Sequence, residues 1–164
     1  MRAPHLLRVD EDPERFAALL AALAAAGLRA GWLELEPPPP PPPRPAPASL
    51  ETAVTLGALR AVAAGGGRSL ALKRLRGGPV LRDLLREHFL GCALVLVRAA
   101  PAAAAPLAPV PALAPAGDGW RVAPPGDAAA QQYDTPGLLA ALRRPRPWGA
   151  GGGLPAAEAQ KQGP

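Results

Sequence analysis

The chain has no isoleucine and no asparagine, and its 164 residues include one cysteine, two histidines, one tyrosine and two phenylalanines. A single cysteine, Cys92, excludes an internal disulfide. With only His5 and His88 beside it, Cys92 also falls far short of a conventional zinc set, so neither a metal nor another cofactor is expected. A lone thiol is what a reducing compartment leaves behind, and a cytoplasmic location follows as the expectation. Lysine is nearly missing too: Lys73 and Lys161 stand against sixteen arginines. Together with the excess of alanine, this points to G+C-rich codon usage and a bacterial source. Long apolar runs are also lacking. Phe89 to Ala116 is broken by Arg98 and five prolines, and nothing reaches the ~18 uninterrupted apolar residues of a membrane span. The apolar run Phe16 to Leu28 follows Asp10, Glu11, Asp12 and Glu14 instead of a basic leader, so neither a secretory signal nor a membrane partner is expected.

What the chain has in plenty is proline, 24 residues, and glycine, 18, which keep much of it out of helices and strands. His5 to Val9 reads as a strand. Asp12-Pro13-Glu14 then supplies an N-cap, a proline at the first helical position and an acid in the first turn. Phe16, Leu19, Leu20 and Leu23 recur at helical spacing up to the stop at Gly27. Trp32 to Glu36 alternates apolar and charged residues as a half-exposed strand does, which completes a β-α-β unit. Seven prolines, Pro37 to Pro43, open a polyproline loop over residues 37–48, a stiff spacer by its backbone physics and a docking segment under a sharper reading. A helix is predicted from Leu50 to Ala64, capped by Ser49 and stopped at Gly65-Gly66-Gly67, with Gly57 admitting a close neighbour. A strand over Ser69 to Arg76 follows, then a helix opening at Pro79 with Leu81, Leu84, Leu85 and His88 on one face. Ala93 to Val97 is a continuous apolar run, typical of a central strand covered on both faces. Residues 99–116 read as a disordered or extended Ala/Pro loop, Trp120 to Val122 as a short strand, and Thr135-Pro136 as the start of a last helix. The expected architecture is therefore α/β: one domain over residues 1–148, with a small, mostly parallel sheet of four to five strands and packed helices, interrupted by Pro-rich loops. Residues 149–164 are expected to form a disordered tail.

Function has one focal point in this pattern. Net charge is +5, and it is regional: Arg60 to Arg98 carries +6, whereas Met1 to Glu36 carries −2. Within the basic region, Lys73, Arg74 and Arg76 lead through Gly77 and Gly78 to Pro79. That order aims cationic side chains and unpaired helix amides at one point, as anion sites do. No dinucleotide or Walker fingerprint accompanies it. The triple glycine at 65–67 follows a helix and leads into a strand, the reverse of what a phosphate loop needs. His88 and Cys92 are too far from a convergent set to suggest catalysis, and Asp10, Asp12 and Glu14 are too loosely spaced to cage a cation. The expectation is a non-catalytic protein that holds an anionic partner, nucleic acid or a phosphorylated ligand, through Lys73, Arg74, Arg76, Gly77 and Gly78. The alternative is an adaptor or assembly subunit with a protein partner, docking through the polyproline segment or through Arg143, Arg144, Arg146 and Trp148. Trp148 has a second reading, in which it folds back over the edge of the core.

Overall fold

The computed structural model describes residues 3–35, 48–58, 60–65, 68–73, 80–126, 128–145 and 147–148. The chain divides into two compact units, one formed by Met1–Pro37 and Leu81–Pro164, the other by Pro38–Val80.

Alternation of side chains along the apolar strands builds the first unit. β1 (His5–Arg8) lies parallel to β5 (Leu94–Ala99), with Leu6 beside Val95 and Leu7 beside Leu96. β2 (Ala30–Leu35) pairs with the other side of β5, so that Trp32 flanks Leu96. The sheet then continues past β1 through β6 (Ala112–Ala116), β7 (Gly119–Ala123) and β8 (Gln131–Tyr133) in the order β2-β5-β1-β6-β7-β8. The first four run parallel and the last two antiparallel. The α/β class and the mostly parallel sheet are as expected. The strand count is higher, six in place of four or five, because β6 and β8 come from segments rich in Ala, Pro and Gln that carry little strand signal.

Because successive side chains of a strand face opposite ways, the sheet has two apolar faces. Leu7, Val9, Leu94, Leu96, Leu113 and Val122 meet Phe16, Leu19 and Leu23 of the first helical segment on one face. That segment is a 3-10 turn, Pro13–Phe16, running into α1 (Ala17–Ala25), and Gly27 at φ +69° ends it as expected. On the other face Leu6, Val95 and Val97 meet Leu81 and Leu85 of α3 (Leu81–His88), together with Leu107 and Val110. The last two correct the reading of residues 99–116 as a disordered or extended loop. The tract folds into two short 3-10 turns and β6, because its few large aliphatic residues are fully used in the core. His88, expected on the apolar face, is exposed and meets Phe89 edge-on.

The last helix, α4 (Thr135–Leu142), begins at Asp134, whose carboxylate accepts from Gly137 N–H at 2.7 Å. Asp134→Ala is expected to cost about 1 kcal/mol through the lost cap, visible as a lower urea midpoint with an unchanged slope.

The second unit departs most from expectation. α2 (Ala48–Thr55) ends nine residues early, and Arg60–Gly65 forms β3, antiparallel to β4 (Arg68–Lys73). Gly57, read as an interior helical glycine, instead sits just past the helix at φ +114° with open space around it. The Ala-rich remainder is too short to nucleate a helix of its own, and Ser69-Leu70-Ala71-Leu72 supplies an alternating partner across the glycines. Gly65 thus ends a strand and does not cap a helix.

Candidate functional site

Topology singles out one end of the large sheet. The chain leaves β1 toward β2 over one face and leaves β5 toward β6 over the other, as right-handed crossovers running in opposite directions must. Between the carboxyl ends of β1 and β5 the two connections part, and in open α/β sheets such a parting makes a crevice where ligands bind. A cleft of about 410 Å³ lies there, lined by Asp10, Glu34, Arg98 and the Ala99-Ala100-Pro101 turn.

Parallel register explains its charged floor. Glu34 and Arg98 are direct neighbours across β2 and β5, and both follow Trp32 and Leu96 on the α1 face. Arg98 Nη2–H donates to Glu34 Oε1 at 2.7 Å, Arg98 Nη1–H donates to Asp12, and Trp32 Nε1–H adds a 3.1 Å bond to Glu34 Oε1. The Asp12 hydrogen bond foremost, aided by Glu34, holds the Arg98 guanidinium above its ordinary pKa. Asp12 therefore does not act as the side-chain cap expected of it: it flanks the first turn but makes no capping bond. Arg15 Nε–H donates to Glu11 at 2.8 Å, and Arg8 lies 3.8 Å from Asp10. The cleft lining thus sets two acids, Asp10 and Glu34, against one arginine, Arg98, that is already engaged with carboxylates. The crevice is slightly acidic and poorly suited to an anion. Among the described residues no group of three or more His, Cys, Asp or Glu side chains is placed to hold a metal ion.

A second cavity of about 480 Å³ opens at the amino ends of the same strands, lined in part by His5, Arg29, Cys92, Leu142 and Arg143. His5 is 5% exposed and its Nε2 lies 3.0 Å from the Leu142 carbonyl oxygen. Cys92 therefore shares a cavity wall with His5, a neighbour that sequence spacing could not indicate. Two helices, α1 and α4, end at this cavity, and Arg29 and Arg143 stand where cations complement the negative end of a helix.

Of the residues singled out for an anion, Lys73 ends β4 directly across from Arg60. Arg74, Arg76, Gly77, Gly78 and Pro79 lie outside the described residues, as do the polyproline run and residues 149–164. Of the second set, Arg143 and Arg144 are exposed, and Arg146 lies outside the described residues. Trp148 is 4% exposed: its ring meets His5 edge-on at 5.7 Å, and its Nε1–H donates to Tyr133 Oη at 3.2 Å. It covers the edge of the core, and its ring is not on display for a partner.

The division of charge is sharper than the sequence alone made plain. Pro38–Val80 contains Arg44, Arg60, Arg68, Lys73, Arg74 and Arg76 against Glu51 alone, a net +5. That equals the excess of the whole chain, so the sheet unit is neutral. No protein-family model, curated protein or solved structure matches the chain.

Proposed function

We propose that the protein is a non-catalytic binding protein, and that it holds an anionic partner, nucleic acid or a phosphorylated ligand, through its Pro38–Val80 unit. The observation that carries this reading is the concentration of the chain's entire net charge in that unit. A local excess of five cations raises the concentration of anions around it and survives modest salt. Arg60 and Lys73 are cross-strand neighbours and add to the same local concentration of charge. Lys73 also delivers the chain into Arg74 and Arg76, extending the cationic row along the sequence. No helix among the described residues is long and apolar enough to cross a membrane.

The test is fluorescence anisotropy of the full chain with a labelled 20-base-pair DNA duplex across a salt series, beside Arg74→Glu/Arg76→Glu. Binding is expected to weaken steeply with salt in the parent. The plot of log affinity against log salt should be shallower by about 2 in the variant, one counterion for each lost phosphate contact. Equal affinities and slopes would remove the basic turn from the function. No binding at low salt, followed by none to inorganic pyrophosphate in calorimetry, would remove the anionic reading altogether.

A further inference from the structure

Three strands of the sheet unit begin at the cavity beside His5, and short backbone bonds tie their starts together. His5 N–H donates to the Ala93 carbonyl at 3.0 Å, and Ala93 N–H donates to the Arg29 carbonyl at 2.7 Å, so the chain entering β1, β5 and β2 is held side by side. A further tie comes from the other end of the unit: His5 Nε2–H donates to the Leu142 carbonyl at 3.0 Å and fixes the end of α4 against β1. Arg29 and Arg143 therefore stand on anchored backbone. The space they border is about 480 Å³, within the range of roughly 300–1,000 Å³ usual for small-molecule sites.

The charge of the lining is of one sign. Arg29 and Arg143 line the cavity, and no Asp or Glu joins them among the described residues. The crevice at the opposite strand ends has the reverse balance, with Asp10 and Glu34 against Arg98. The ends of α1 and α4 contribute about half a negative charge each, which leaves the two guanidiniums in excess by about one unit. Arg143 already has an interaction of its own within the fold. Arg29 is exposed, and no ion pair joins it to an acid among the described residues. Its planar fork of N–H donors matches the oxygens of a carboxylate or a phosphate.

We infer that this cavity is a second anion site, for a small molecule whose carboxylate or phosphate group is bound by Arg29, with Arg143 as the second cation. It is independent of the reading of the Pro38–Val80 unit, because every residue lining it belongs to the sheet unit. Size separates the ligands as well, since a cavity of this volume admits a small anion and excludes a duplex. Cys92 is half-buried in the same wall. Binding asks no chemistry of it, but as the chain's one thiol it reports on occupancy.

The experiment follows alkylation of Cys92 by iodoacetamide, a neutral reagent, in the full chain with inorganic phosphate, malonate or sodium chloride at matched ionic strength. Phosphate, malonate or both are expected to slow the reaction along a saturating curve, and whichever protects names the head group. Sodium chloride should leave the rate unchanged. Arg29→Ala, at an exposed position where the fold persists, should raise the half-protecting concentration about tenfold, the loss of one charge-assisted hydrogen bond. Arg29→Lys keeps the charge and should lose less. Arg74→Glu/Arg76→Glu should be protected as the parent is. Equal slowing by all three salts, slowing by none, or unchanged protection in Arg29→Ala would overturn the inference. Protection lost in Arg74→Glu/Arg76→Glu would overturn it as well, because the anion would then act from the other unit.

Discussion

Trp148→Ala is expected to destabilise the sheet unit by about 3–5 kcal/mol, the usual cost of removing a large buried ring. Trp148 lies near the end of the described chain, a place where side chains are commonly exposed, yet it is 4% exposed. Its ring packs edge-on against His5 at the start of β1, and its Nε1–H reaches Tyr133 at the end of β8. It therefore connects the first strand of the chain to the last. Removing it uncovers His5 and leaves the Tyr133 hydroxyl with one partner fewer. Trp148→Phe keeps most of the ring and loses the donor, so its cost should fall to about 0.5–1.5 kcal/mol, that of one hydrogen bond. Urea unfolding followed by circular dichroism separates the two. An Ala variant as stable as the parent would mean that Trp148 is displayed for a partner, and would return the Arg143-Arg144-Arg146-Trp148 segment to consideration as a docking peptide.

That residue also shows what sequence can and cannot convey. Local signals are legible wherever the physics is local: Gly27 stops α1, Pro136 opens α4, and the alternation around Trp32 marks β2. The uninterrupted apolar run at Leu94 to Val97 identifies the central strand because only a strand covered on both faces can bury every residue. Reading failed where a segment has little chemistry of its own. Residues 60–65 have alanines that suit a helix as well as a strand, and the decision is made by Gly57 and by pairing with residues 68–73. Ala112–Ala116 becomes a strand because β1 and β7 flank it.

The crevice could not be foreseen for a different reason. Arg98 meets Asp12 and Glu34 across 86 and 64 residues of sequence, and nothing in their spacing announces it. Parallel pairing of β2 with β5 creates the contact. Its consequence is functional. At the position where an α/β sheet usually receives a ligand, the cleft's arginine is already held by internal ion pairs, and the chain's surplus charge lies in the other unit. The basic segment was visible as composition, but its confinement to a unit of its own emerges only from the fold.

Leu96→Ala tests the centre of the sheet and is expected to cost about 2–5 kcal/mol, with the upper half of that range reached if the cavity does not collapse. Leu96 is fully buried, lies between Leu7 and Trp32 in register, and belongs to the cluster that holds Phe16, Leu19 and Leu23. Three separate elements thus lose contacts from one truncation, and close packing on both flanks limits how far any of them can move in. Intrinsic fluorescence gives a clean readout, since Trp32, Trp120 and Trp148 all belong to the sheet unit. Leu96→Met conserves volume and should cost less than about 1.5 kcal/mol. Leu70→Ala, at the exposed face of the ribbon, should leave the tryptophan-detected transition in place, within about 0.5 kcal/mol of the parent. A Leu96→Ala loss no larger than that of Leu70→Ala would contradict the central position of β5. With that position would go the topology that parts the two crossovers, and therefore the account of why the Arg98 crevice is where it is.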